Sequence, residues 1–168
     1  MYRTITIACA ATLLSACGSE TSGEFTTADG ETGEYSIDNS TGETTATIET
    51  ADGTATLRSG ADVPVDLPDG FSLYPGASVV TNTVVNQGEG TRVVLLSFES
   101  NDSPEDIADY YKDQAEAAGI AIEVDATING GRMLAGKAQD GSVFAVNATA
   151  EDGKTSGQLT TGLGDLGE

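Results

Sequence analysis

The stretch RVVLLSFESNDSPEDIADYYKDQAEAAG, residues 92–119, decides the fold because an apolar strand pattern changes within it to a helical pattern. Residues 93–98 are the most apolar run after the amino-terminal segment, and their alternation places Val94, Leu96 and Phe98 on one face. We therefore predict a central β-strand that is followed directly by a helix.

The helix is predicted over about residues 103–118. Ser103 suits the N-cap, Pro104 suits the first turn, and Asp106 three residues on completes a weak capping box. Gly119 suits the position after the last helical residue. Helical spacing predicts one buried stripe, formed by Ile107, Tyr110, Tyr111, Ala115 and Ala118. The opposite face should be solvated, with Lys112 paired to Asp109 and Glu116 on the same helix.

Alternating segments on both sides of the helix predict further strands. Residues 78–87 and 91–100 should pair, and four segments after the helix are joined by Asn-Gly or Asp-Gly turns. Ile120, Ile122 and Val124 should point inward, whereas the segment 142–148 has apolar residues on both faces. Residues 78–162 are therefore predicted to form an α+β domain, a mostly antiparallel β-sheet with one amphipathic helix packed on one face.

Three segments outside this domain have weaker signals. Residues 34–60 predict a short β-hairpin segment, with partial disorder as the alternative, and residues 163–168 predict a frayed tail. Residues 61–77 predict an entry loop rich in proline and glycine. Its large side chains are expected to cover one end of the core; the alternative is that they contact a partner protein, the candidate contacts being Phe71, Leu73 and Tyr74.

The amino-terminal sequence Leu14-Ser15-Ala16-Cys17-Gly18 resembles the lipobox of bacterial lipoproteins. It ends an apolar run that is too short to span a bilayer, so residues 1–16 are predicted to be a lipoprotein signal peptide. The resemblance implies cleavage between Ala16 and Cys17 and acylation of Cys17 by chains such as palmitate. The polar composition of the segment that follows, rich in Gly, Ser, Thr and Glu, predicts that residues 17–33 form a flexible tether. An ordinary signal peptide with an incidental cysteine is the alternative. Because Gly18 is not Asp, the resemblance implies anchoring in the outer membrane, with the domain facing the periplasm.

The charge of the chain argues against anionic partners. Of 7 basic and 27 acidic residues only Arg3 precedes Cys17, so the chain from Cys17 onward carries 6 − 27 = −21. Such a charge repels nucleic acid and anionic headgroups. It favours solubility, and it also admits a cationic ligand or calcium, for which residues 38–43 (DNSTGE) are the best oxygen-rich turn.

Four motifs together resemble small lipoproteins of alphaproteobacteria: residues 67–71 (LPDGF), 74–77 (YPGA), 103–106 (SPED) and 110–114 (YYKDQ). The resemblance covers about residues 66–148. No activity and no catalytic residue can be carried over from it to this sequence.

No catalytic chemistry is indicated. The chain contains no His, its Cys residues are Cys9 and Cys17, and no nucleotide-binding motif occurs. We therefore expect no enzyme activity and no cofactor. The sequence predicts an envelope lipoprotein, held to the membrane by its lipid, that is structural or contacts another envelope protein; a binding module for a cationic ligand or calcium is the alternative.

Overall fold

One antiparallel sheet accounts for most of the structure. The computed structural model describes residues 19–27, 30–50, 53–87 and 91–163. The sheet has 10 strands in the order β1-β2-β3-β4-β5-β6-β10-β9-β8-β7, with one helix, α1, in the chain between β6 and β7. The elements are β1 Glu20–Thr26, β2 Thr32–Asp38, β3 Thr44–Thr50, β4 Gly53–Gly60, β5 Ser78–Gln87, β6 Thr91–Ser100, α1 Pro104–Ala117, β7 Ala121–Ile128, β8 Gly131–Lys137, β9 Val143–Glu151 and β10 Lys154–Leu163.

The chain makes a single break in this meander. After β6 it forms α1, resumes at the far edge with β7, and returns strand by strand until β10 pairs with β6. This path lays α1 across β7–β10, on what we call the front face of the sheet. The mostly antiparallel sheet with one helix packed on it is confirmed.

The core lies between α1 and the front face. Val94, Leu96 and Phe98 are all completely buried, as their alternation predicted. The helix contributes Ile107, Ala108, Tyr111 and Ala115. The predicted stripe is therefore wrong at one end: Ala118 is the C-cap and is exposed, Tyr110 is half-buried, and Ala108 was missed.

The helix ends are confirmed. The Ser103 hydroxyl accepts a hydrogen bond from the Asp106 amide at 3.2 Å, and the Asp106 carboxylate accepts one from the Ser103 amide at 3.3 Å. Gly119 follows with φ +78°, a conformation that glycine adopts without a Cβ clash. Asn129 and Asp152 also have positive φ, each before a glycine of positive φ, as expected for two-residue hairpin turns.

Two predictions, one about the helix and one about the strand after it, need correction. Ile120 is buried, but Val124 is 37% exposed because a bulge between Ile122 and Val124 turns the rest of β7 over. Lys112 does not pair along the helix; its ammonium lies 2.8 Å from the Asp125 carboxylate on β7. In β9 the inward residues are Phe144 and Val146.

The amino-terminal segments join the main sheet. Glu20–Thr26 was predicted as part of a flexible tether, which is wrong, because it pairs along its whole length with β2. Rings compensate for missing side chains here: Tyr35 covers Gly23 and Phe25 covers Gly33. The predicted hairpin at 34–60 is three strands, of which β4 pairs with β5. The predicted signal peptide, the lipobox and most of the predicted tail, residues 164–168, lie outside the described residues.

Substitution of Gly157 should destabilise the sheet at its centre. A Cβ at this position would lie 2.3 Å from the Phe98 ring, which is completely buried and has no free space to enter. We expect Gly157→Ala to lower the free energy of unfolding by about 1–3 kcal/mol, measured by urea denaturation. Ser156→Ala, the exposed neighbour, is the control and should change stability by less than about 0.5 kcal/mol. Equal stability of the two variants would contradict this packing.

Candidate functional site

The entry loop, residues 61–77, lies across one end of the front-face core and is bonded to the helix. The Ser72 amide donates to the side-chain oxygen of Gln114 at 3.0 Å, and the Ser72 hydroxyl lies 2.8 Å from the Tyr110 hydroxyl. The Tyr74 amide donates to the Tyr111 hydroxyl at 3.0 Å. Burial raises the pKa of Tyr111, so this phenol stays neutral.

The predicted contact residues Phe71, Leu73 and Tyr74 all pack against the core and are all half-buried. The Phe71 ring stacks on Phe144 with centroids 5.6 Å apart, and the Tyr74 ring meets Tyr110 edge-on at 5.1 Å. They therefore cover the end of the core, as one of the two interpretations expected. Contact of their exposed parts with a partner stays a prediction.

The other end of the loop is also fixed. The buried Asn82 amide donates to the carbonyl oxygen of Pro64 at 2.8 Å, and the Arg92 guanidinium lies 2.7 Å from the Asp66 carboxylate. The loop is thus held on β5 and β6 before residue 67 and on α1 from Ser72 onward.

Between the loop, the carboxyl end of α1 and the ends of β8–β10 lies a cavity of about 210 Å³. Its apolar lining comes from the loop, the first residues after the helix and the β8–β9 turn: Phe71, Ile120, Ala138 and Val143. A wall of this kind accepts an apolar ligand or ligand part.

Thr161 on β10 gives this cavity a polar feature. The side chain is 1% exposed, yet its hydroxyl oxygen has no hydrogen-bond partner among the residues that the structure describes. Thr161 lies two residues after the buried Leu159 on β10, so the two side chains share a face, and it pairs with the inward-facing Phe144 of β9. Thr161 therefore points to the front face, where it lines the cavity. A buried hydroxyl without a partner costs roughly 1–3 kcal/mol, which a ligand that pairs with it would recover.

Acidic groups lie at the rim. Asp69 and Asp140 line the cavity and are exposed. Hydrogen bonds from Ser142, including one from its amide at 2.9 Å, lower the pKa of Asp140, so this carboxylate is ionised at neutral pH. The rim therefore disfavours an anionic ligand group.

The predicted calcium turn has a local explanation. The Asp38 carboxylate accepts hydrogen bonds from Ser40 and Thr41, which lower its pKa and form an Asx-turn. Among the described residues, no group of three or more His, Cys, Asp or Glu side chains is placed to hold a metal ion. A wider depression on the front of β1–β3, about 340 Å³, is lined only by exposed or half-buried residues such as Glu24 and Glu34.

Ion pairs that the sequence did not predict fix the helix relative to the cavity wall. The Asp125 carboxylate lies 2.8 Å from the Lys112 ammonium and 2.6 Å from the Arg132 guanidinium. Hydrogen bonds from these two groups lower the pKa of Asp125. Helix α1 is thereby held on β7 and β8, and the cavity residues Ile120 and Ala138 lie directly before β7 and directly after β8.

Thr161, Asp69 and Asp140 were not among the predicted site residues. Thr161 lies in a stretch that is rich in Thr and Gly (TSGQLTTGL, residues 155–163), and its burial follows only from the return of β10 to the middle of the sheet. The predicted cleavage and acylation residues, Ala16 and Cys17, lie outside the described residues.

Residues 79–157 are similar to a family model described as START domain-like. The match runs from β5 into β10, just under half of the 168-residue chain, and it includes α1, Ile120 and Phe144 but neither the loop residues nor Thr161. No curated protein and no solved structure matched the chain. The one helix described is not long and apolar enough to cross a membrane.

Paired tyrosine substitutions test the attachment of the loop. Tyr111→Phe removes the acceptor of the Tyr74 amide and should lower the free energy of unfolding by about 1–3 kcal/mol, or the melting temperature by roughly 2–12 °C. Tyr110→Phe is the matched control and removes a partly solvated hydroxyl, which pairs with Ser72 and donates to the Leu73 carbonyl oxygen at 3.4 Å, so we expect a loss below about 1 kcal/mol. A larger loss for Tyr110→Phe than for Tyr111→Phe would contradict this attachment.

Proposed function

We propose that this chain is a non-enzymatic, lipid-anchored envelope protein whose α+β domain binds a small, largely apolar ligand with one hydrogen-bonding group. The anchor is supported by the lipobox-like residues 14–18. The ligand is supported by the cavity under the entry loop. Contact with another envelope protein, through the exposed parts of Phe71, Leu73 and Tyr74, is compatible with ligand binding because a half-buried side chain can pack inward and still expose a part of its surface.

The unpaired hydroxyl of Thr161 is the observation that carries the ligand proposal. If the cavity bound no ligand, an apolar lining would be more stable. Valine has nearly the shape of threonine and would fill the position of Thr161 without an unsatisfied oxygen. The hydroxyl therefore has a use when a ligand donates to it or accepts from it. The START domain-like match supports this proposal, because it suggests a ligand-binding fold.

The cavity limits the size and charge of the ligand. Its volume of about 210 Å³ exceeds the roughly 150 Å³ of a cavity that binds benzene, and is below the roughly 300 Å³ at which sites for drug-sized ligands begin. The rim acids Asp69 and Asp140 favour a neutral or cationic polar group over an anionic one. A single ring or short chain that carries a hydroxyl or an amine fits these conditions.

Thr161→Val should separate the polar contact from the apolar cavity. Phenol and benzene serve as probes, titrated into the isotope-labelled full chain and followed by amide NMR shifts of the cavity residues. We expect the substitution to weaken phenol binding about fivefold, the equivalent of roughly 1 kcal/mol, and to leave benzene binding within about twofold. Stability without ligand should stay equal or rise, because the variant loses an unsatisfied buried oxygen.

Thr47→Val, a half-buried threonine on the front face of β3, is the matched control and should not change the affinity for either probe. Equal weakening of phenol and benzene by Thr161→Val would show that the hydroxyl does not contact the ligand. Absence of shifts at Ile120, Phe144 and Thr161 with both probes would remove the ligand proposal.

The anchor is tested separately in cells. Cys17→Ala removes the thiol that would form the thioether, so we expect loss of label from an alkynyl palmitate analogue and release of the protein from the membrane fraction. Cys9→Ala, within the predicted signal peptide, is the control and should keep both the label and the membrane location. Retention of label by Cys17→Ala would contradict acylation at this residue.

A further inference from the structure

The back face of the sheet, opposite α1, carries a largely apolar band. Cross-strand pairs place Tyr35, Ala46, Leu57, Val85 and Val93 in one row from β2 to β6. A second row two residues away continues across the sheet through Leu95, Thr160, Ala145, Ala135 and Val124, in which Thr160 is the one polar residue. Leu95 and Val124 are 36% and 37% exposed, and the other residues of the two rows are half-buried by their neighbours on the same face.

Charge is segregated between the two faces. At the paired positions of the described strands, the acids that share the front face are Glu20, Glu24, Glu34, Asp38, Glu49 and Asp125. The back face takes only Glu99 and Glu151, both at one end beside Lys154. In a chain with a net charge of −20, this band is a surface on which a second negative body can approach without repulsion.

We propose that the back-face band is the interface between two copies of this chain, packed sheet on sheet. Another copy carries the same −20 charge, so it needs an uncharged surface to dock on. A basic partner would instead favour an acidic surface, which the back-face band is not. A surface that binds anionic lipid headgroups needs several cations. The back face has only Lys137 and Lys154 at its paired positions among the described strands, so it does not suit such lipids.

Size and shape also fit a second copy. From β2 to β7 the two rows cross eight strand spacings of about 4.8 Å, a width of roughly 38 Å, and two rows about 7 Å apart occupy a height of about 14 Å, so roughly 530 Å² per copy. The total of roughly 1,060 Å² is just above the roughly 1,000 Å² that a specific interface needs. Two sheets with the same twist pack face to face at about −30°, and a twofold axis relates such identical faces directly.

Mass measurement on the full chain tests this interface. The chain carrying Cys17→Ala is used so that acyl groups do not assemble micelles, and its mass is measured by sedimentation equilibrium over a range of concentrations. We expect a dimer of twice the 17.1 kDa chain mass at micromolar concentration. Leu95→Glu and Val124→Glu, both at exposed positions of the band, should each raise the dimer dissociation constant at least a hundredfold, because each places unpaired charges in the interface.

Thr47→Glu adds the same charge on the front face and is the control; it should stay dimeric. Circular dichroism confirms that each variant keeps its sheet. A monomer at all concentrations up to about 100 μM, or a dimer that survives both band substitutions, would overturn the proposal. Flotation of the monomeric chain with phosphatidylcholine–phosphatidylglycerol vesicles, lost in Leu95→Glu and kept in Thr47→Glu, would assign the band to a bilayer and would overturn it as well.

Discussion

The pairing of β10 with both β6 and β9 is the constraint on which the rest of the structure depends. It closes the loop of chain that contains α1, and so it fixes the helix over the front of β7–β10. It also brings Gly157 beneath the Phe98 ring, where only a residue without a Cβ leaves the ring its space. The same strand, β10, places Leu159 in the core and Thr161 at the cavity, so the core and the candidate site both depend on its pairing.

The two faces of this sheet differ in polarity. On the front face, the half that carries α1 has an apolar core, and the half formed by β1–β4 has acids and hydroxyls that water can solvate. On the back face, the alternation of these same strands leaves apolar rows at the surface. A four-strand extension with apolar residues on only one face gains stability mainly when that face is covered, which gives the proposed contact between copies a physical reason.

The sequence predicted best where local chemistry and burial agree. The Ser103 cap, the Gly119 terminus and the inward set Val94, Leu96 and Phe98 depend on neighbours in the sequence, and the structure has them as expected. The failures depend on distant pairing. Val124 is exposed because of a bulge in β7, and Lys112 prefers Asp125, a residue on another element, to its helical neighbours.

Composition was misleading at the amino terminus. Glu20–Thr26 has few apolar residues, which is typical of a linker, but β-pairing satisfies its backbone and Phe25 and Tyr35 cover the glycines of the pair. The candidate site was equally hidden. Thr161 and Thr155 are both buried, but the Thr155 hydroxyl donates to the Asp102 carbonyl oxygen, and the burial of Thr161 is a product of the strand order rather than of its neighbours in the sequence.

The way in which the entry loop is attached determines what the cavity can accept. Arg92 holds the loop at Asp66, and Gln114 holds it at Ser72. The short piece between these points contains Phe71, which stacks on Phe144 over the cavity, and Gly70, whose φ of +92° suits a tight turn. A ligand that exceeds about 210 Å³ must extend past the open rim, or displace this piece and lose the ring stacking, worth about 0.5–1.5 kcal/mol, while the rest of the loop stays in place. The structure therefore favours small ligands by a local cost rather than by a rigid wall.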